Sequence, residues 1–126
     1  MEVSRLSSAF PEGMFTADCP TRTVLDHVMS KWAPLLLVAL SDGEALRWSE
    51  LRRRAEGVSE KMLAQTLRML EEDGLVLREA RPVVPPHVEY SLTELGQELA
   101  AQLVPLLGWI ARNADAMLGE TSNTVR

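Results

Sequence analysis

The stretch from Ser59 to Leu75, SEKMLAQTLRMLEEDGL, limits the fold more than any other part of the chain. At about 100° per residue, Leu63, Leu67 and Leu70 fall on one side of a helix and Lys61, Gln65 and Arg68 on the other. Ser59 is the natural N-cap and Gly74 the natural stop, so the helix is predicted to end at Glu72 or Asp73. The leucine face needs a core to cover it. The opposite stripe offers a lysine, an amide and an arginine, which suit phosphates, guanine edges and adenine. Alone, such a stripe is an ordinary solvated helix face, so its surroundings must decide.

Upstream, Ser49 is expected to cap a helix running to Arg54 or Ala55, with Gly57 supplying a left-handed residue before Val58 turns inward. Helix, short turn with glycine, and helix over Leu51 to Leu70 is the helix-turn-helix pattern. Downstream, Leu75 to Ala80 and Val88 to Leu92 are strand candidates around the proline-rich loop Arg81 to His87, which together form a wing. Leu46 to Trp48 reads as a very short strand. Pro20 opens a first helix through Val24, Leu25 and Val28, Ser30 to Trp32 breaks it, and Pro34 pre-sets a second helix ending near Ser41 to Gly43.

Thr93 can cap a last helix, along which Leu95, Leu99, Leu103, Leu106, Leu107, Ile110, Ala114 and Met117 line one side. A core of this size has no room for so long a stripe, so its excess points to pairing with a second subunit. Pro105 is expected to bend or interrupt this helix. The predicted fold is α+β, mostly helical: a winged helix-turn-helix with a two-stranded wing and a long C-terminal dimerisation helix. Residues 1–17 read as an N-terminal arm, 18–118 as the DNA-binding domain with the dimerisation helix over 93–118, and 119–126 as a flexible tail.

With 126 residues, 46% of them apolar, the chain suits one domain with a proper core. Its longest apolar run, Ala33 to Leu40, contains Pro34 and is far short of the roughly 20 residues of a membrane span. No continuous apolar segment marks a secretory signal, and a cytoplasmic protein without membrane partners is expected. Cys19, the single cysteine, excludes an internal disulfide framework. Net charge is −5, which argues against indiscriminate binding to nucleic acid. The charge is uneven, however. Residues 47–81 hold 8 of the 13 basic side chains against 7 of the 18 acidic ones, leaving a locally basic surface on an acidic body. There are two histidines, no nucleophile–base–carboxylate pattern, no glycine-rich phosphate loop and no cysteine pair, so neither an enzyme nor a cofactor is expected. Asp26 and His27 with Cys19 lack a metal-ligand spacing, and a packed histidine is the simpler reading.

The motif order is distinctive. Cys19-Pro20, Lys31-Trp32 and Trp48-Ser49-Glu50-Leu51 precede Ser59-Glu60-Lys61-Met62-Leu63. The block Leu67 to Leu75, Val84-Pro85-Pro86 and Val88-Glu89-Tyr90-Ser91-Leu92-Thr93 follow. Over residues 19–112 this resembles the HxlR family of bacterial transcription regulators, relatives of the MarR-type winged-helix proteins. The resemblance implies a homodimer on a pseudo-palindromic operator of double-stranded DNA, joined through the terminal helix, the first helix and the N-terminal arm. Carried onto this chain, it implies DNA contacts by Ser59, Lys61, Gln65 and Arg68 and by wing residues 81–88. Trp48 stands where the family commonly has Phe, Arg81 where Tyr is frequent and His87 where Arg is frequent, so the wing's charge has moved along its loop.

Within that context Lys61, near the helix N-terminus, is placed to enter the major groove, and Arg68 to meet a phosphate. Ser59 would cap the helix and donate to the DNA backbone. Arg52, Arg53 and Arg54 form a run that is ordinarily just solvated, and one or two of them, Arg52 and Arg53 foremost, are expected at phosphate. Lys31 is a further backbone candidate beside Trp32, a core or interface anchor. Arg81 and His87 are the wing candidates, where Arg78 also sits and where charge otherwise keeps an edge strand soluble. Glu89 and Tyr90 read as structural.

Cys19 precedes Pro20 at a helix start, whose positive end favours a thiolate, while Asp18 opposes it. Branches of the HxlR family use a cysteine at this place to sense oxidants, quinones or aldehydes. The ordinary role of a lone cysteine is a small buried apolar group. A single thiol could switch only by an intersubunit disulfide, alkylation or a mixed disulfide. The other regulatory route is a small-molecule effector in a pocket between the core and the dimer helices. A rival to the DNA-binding reading is a winged-helix protein–protein module, which the net charge of −5 supports and the cations Lys61 and Arg68 oppose.

Overall fold

The computed structural model describes residues 19–119. The arm expected over 1–17 lies outside them, as does the expected tail apart from Gly119. The elements in order are α1 (Pro20–Val28), α2 (Ala33–Ala39), β1 (Leu46–Arg47), α3 (Trp48–Arg54), α4 (Glu60–Glu72), β2 (Val76–Arg81), β3 (His87–Leu92) and α5 (Glu94–Leu118). The architecture is the α+β winged helix predicted, with one enlargement. Strand β1 pairs with β3, so the wing is part of a three-stranded antiparallel sheet in the order β1-β3-β2.

Helix α2 is the centre of the core. Leu36, Leu37 and Leu40 from this helix and its cap, Leu51 from α3, and Leu63, Leu67 and Leu70 from α4 are all fully buried. Each such leucine removes enough apolar surface from water to contribute about 1.5–3 kcal/mol. The leucine face expected of residues 60–72 is therefore the face that fastens α4 to the body. Trp32 packs against this core, and its ring reaches the turn at Gly57, where an added Cβ would lie 3.7 Å from Trp32 Cη2. Gly57 has φ +97°, as the turn between α3 and α4 requires.

One local expectation needs correction and a second is narrowed. Helix α3 begins at Trp48, so Ser49 lies inside it rather than capping it. Arg47 occupies the cap, and its N–H donates to Glu50 Oε1 at 2.8 Å, so the carboxylate three residues on satisfies the N-cap N–H. Pro105 does not interrupt α5, which runs unbroken for 25 residues. Proline removes the bond to the carbonyl four residues earlier, that of Ala101, and both residues are exposed, so water can take the freed acceptor.

The junction between α4 and α5 is closely built. Leu75 N–H donates to Leu70 O at 2.9 Å and Gly74 N–H to Glu71 O at 3.0 Å, closing α4 with Gly74 at φ +78°. Thr93 Oγ1 donates to Gly74 O at 2.7 Å and accepts from Gly96 N–H at 3.0 Å. A Cβ at Gly96 would collide with the Leu75 carbonyl, so α5 can approach this closely only with glycine there. Among the described residues no helix is long and apolar enough to cross a membrane.

Candidate nucleic-acid interface

Ser59 caps α4 as expected, its Oγ accepting from Met62 N–H at 3.0 Å. That cap fixes where the helix starts, and the 3.6-residue repeat then sets which side chains point outward. Lys61, Gln65 and Arg68 are exposed in one stripe, opposite the buried Leu63, Leu67 and Leu70. Among the described residues none of these three polar side chains has a hydrogen-bond or ion-pair partner. No intramolecular bond therefore has to be broken before these side chains meet a ligand, and the stripe is open to one. Thr66, not foreseen as buried, sits on the leucine side.

The arginine run divides three ways. Arg54 Nη1 donates to the Ala39 carbonyl at 3.2 Å, which ties α3 to the end of α2. Arg52 Nη1 pairs with Glu60 Oε2 at 3.2 Å, across the turn between the two helices. Arg53 is exposed with no such partner among the described residues. Lys31 is exposed, with Nζ 5.2 Å from the Trp32 ring centroid, and so lies beside the same turn.

The wing candidates are in a different state. The register sets Glu79 opposite Glu89 and Arg81 opposite His87, so these four share one face of the hairpin. Two glutamates facing each other directly would repel. Arg81 relieves that, its Nε 3.0 Å from Glu89 Oε1 and its Nη2 3.7 Å from Glu79 Oε1. His87 Nε2 lies 3.1 Å from Glu89 Oε2. Hydrogen bonds from His87 first and Arg81 second hold the Glu89 carboxyl below the usual glutamate range. Arg47 of β1 pairs with Glu89 in register and so joins the same face. Sequence reasoning missed Arg47, because only the nonlocal pairing of β1 with β3 puts it there. Arg78 lies opposite buried Tyr90 and therefore on the other face.

Cys19 is half-buried at the N-cap of α1, with its carbonyl accepting from Arg22 N–H at 2.9 Å. Near the far end of that helix His27 Nδ1 is 2.9 Å from Oδ2 of Asp73, the C-cap of α4. The first helix is thus tied to the end of the helix that carries Lys61, Gln65 and Arg68. Between α1, the end of α4 and α5 lies a cleft of about 520 Å³, apolar along Val24, Val28, Leu75 and Leu99, with Asp73 and Gln102 at its polar side.

Helix α5 keeps its apolar stripe but does not bury all of it. Leu103 is buried, and Leu99 and Leu107 pack on the core. Leu95, Leu106, Ile110 and Met117 are exposed, as is Trp109 at 50%. Val24, Leu25 and Met29, on and just after α1, are exposed as well. At 1.5 Å per residue α5 is about 37 Å long.

Comparison with known proteins agrees with this geometry. The model of the HxlR-like helix-turn-helix family matches residues 27–117. The chain is 53% identical over 114 residues to the HTH-type transcriptional regulator YtfH of Escherichia coli (strain K12), covering 90% of each protein. The structure described as transcriptional regulator ytfH from Salmonella typhimurium is similar with a TM-score of 0.78 and 51% identity, over 86% of this chain and 96% of that one. The redox regulator HypR in its oxidized form is similar with a TM-score of 0.69 and 40% identity, over 75% of this chain and 97% of that one. These relatives are regulators of transcription rather than enzymes, and the chain belongs to the HxlR-like helix-turn-helix family.

Proposed function

We propose that the protein is a homodimeric, sequence-specific DNA-binding regulator, with α4 as the recognition helix. The observation that carries this reading is the open stripe of Lys61, Gln65 and Arg68 on the second helix of a helix-turn-helix, without partners among the described residues. Lys61 reads base edges near the helix N-terminus, Gln65 pairs with a base, and Arg68 holds a phosphate. Ser59, Arg52, Arg53 and Lys31 border this stripe and meet the DNA backbone, Arg52 after leaving Glu60. Arg81 and His87 bring the wing to the phosphates.

The exposed apolar side chains of α5 and α1 support dimerisation. Leu106, Ile110 and Met117 repeat at helical spacing and are exposed, unlike Leu103 and Leu107, which face the core. A twofold pair joined there would present its two recognition helices about 34 Å apart, one turn of the duplex, and so select a pseudo-palindromic operator. The domain would then span 18–118.

For regulation, the place of Cys19 favours a thiol switch over an effector held in the cleft. It sits at the start of α1, which reaches the end of the recognition helix through His27 and Asp73. The likeness to redox regulator HypR supports the same reading. In an intersubunit disulfide, two Cys19 thiols, one per protomer, lose two protons and two electrons to the oxidant.

A gel shift on the DNA upstream of the protein's own gene tests the whole reading, run reduced, after diamide, and with Cys19→Ser. Specific shifting when reduced, lost on oxidation in the wild type alone, is expected. Shifting that ignores oxidation would transfer regulation to the cleft. No specific shift on any fragment would favour the protein–protein module.

A further inference from the structure

The wing's two candidate donors, Arg81 and His87, are already occupied. Arg81 Nε is bonded to Glu89 Oε1 at 3.0 Å and His87 Nε2 to Glu89 Oε2 at 3.1 Å, so one carboxylate uses one oxygen for each. Both pairs run between neighbouring positions of a regular hairpin, with Arg81 directly opposite His87 and Glu89 two residues further along β3. Glu79 adds a second carboxylate 3.7 Å from Arg81 Nη2. The geometry that Glu89 presents, an anion with two oxygens each accepting from a different cationic or donor group, is also how a phosphate is held by two side chains. A phosphate and Glu89 would therefore compete for the same donors.

We propose that Glu89 acts as an intramolecular stand-in for DNA phosphate, holding Arg81 and His87 off DNA so that the wing gains a phosphate only by exchanging partners. The inference rests on the reading above that the wing meets DNA. The recognition stripe has no such competitor, since Lys61, Gln65 and Arg68 carry no partner to displace among the described residues. Exchange at the wing leaves the Glu89 carboxylate without its two donors and near a polyanion, so each wing contact is won at a cost that α4 does not bear. The consequence is a wing that adds little attraction for arbitrary DNA in a protein whose net charge is already −5.

The test is fluorescence anisotropy on two duplexes of equal length, one from upstream of the protein's own gene and one of scrambled sequence. The proteins are the wild type, Glu89→Gln, Glu89→Asp, the pair Arg81→Ala with His87→Ala, and that pair combined with Glu89→Gln, each checked for folding by thermal melt. Glu89→Gln should tighten binding roughly three- to ten-fold, the scale of one or two exposed ion pairs no longer competing. In the Arg81→Ala and His87→Ala background the same change should shift affinity by less than about two-fold, because the competition has no object. Glu89→Asp keeps the charge but shortens the reach, and it should tighten binding as well. Equal tightening in both backgrounds, with Glu89→Asp at the wild-type value, would mean simple repulsion of the duplex and overturn the proposal. Unchanged affinity in Glu89→Gln would overturn it too. Failure of the wild type to bind either duplex would overturn the DNA-binding reading itself, and the inference with it.

Discussion

Helix α4 and the wing carry similar side chains in opposite states. On α4, Lys61, Gln65 and Arg68 point outward with no partner among the described residues. On the hairpin, Arg81 and His87 are tied to Glu89. The difference comes from backbone periodicity. A helix with one buried face turns every third or fourth residue away from its own body, and although Glu72 follows Arg68 by one turn on this face, it makes no ion pair with the stripe among the described residues. An antiparallel hairpin puts side chains of two strands within about 5 Å of each other on one face, so an acid among them finds the bases. Counting basic residues therefore overstates what the wing can offer and describes the helix correctly.

The comparison can be broken first at the level of the dimer. Leu106→Glu with Ile110→Glu should separate the subunits in light scattering and lower operator affinity by about 100-fold or more, since each half-site then binds alone. Both regions lose their second copy, so the difference between them should persist in the monomer's residual binding. The next largest effect is local. Lys61→Ala should cost about 1–3 kcal/mol on the operator and less on scrambled DNA, as removal of a base-reading side chain does. Equal losses on both duplexes would make Lys61 a phosphate ligand. Ser59→Ala should remove the cap of α4 and about 1 kcal/mol of stability, measured by chemical denaturation.

The smallest effect concerns acid. Glu89 has its carboxyl held below the usual glutamate range by His87 and then Arg81. A depressed folded-state value means that the unfolded chain binds its proton first as pH falls. The stabilisation is complete above the ordinary glutamate range and is lost as pH drops through and below it. The wild type should therefore lose a small stability advantage over Glu89→Gln on going from neutral pH into that acid window. A constant difference across the window would remove the ion pairs from the account.

What could be read in the sequence follows the same division. The leucine and cation faces of α4, the caps at Ser59 and Thr93, the stop at Gly74 and the bounds of the wing strands all depend on residues within a few positions of each other. They appear in the structure as expected, the strand bounds to within a residue. Ser49 misled because a hydroxyl and a carboxylate next to each other, Ser49 and Glu50, can both serve a helix start, and Arg47 took the cap with Glu50 as acceptor. Pro105 leaves α5 unbroken because its effect depends on whether Ala101 faces water, which only the packing of α5 decides. The pairing of β1 with β3, the bond from Arg54 to Ala39 and the hold of Asp73 on His27 join residues 15 to 46 apart or strands far apart in the chain. No local pattern announces such contacts. The role of Glu89 belongs to this group, since it needs the register of the hairpin as well as its existence.

The most direct test of the account compares two double variants on the same operator and scrambled duplexes over a range of salt. Lys61→Ala with Arg68→Ala should abolish most discrimination between the duplexes. Arg81→Ala with His87→Ala should leave discrimination intact, weaken both complexes by no more than about two-fold because Glu89 already competes for those donors, and lower the log–log salt slope by at most about one for each phosphate the wing no longer holds. Discrimination that survives removal of Lys61 and Arg68 but disappears with Arg81 and His87 would contradict the assignment of sequence reading to α4.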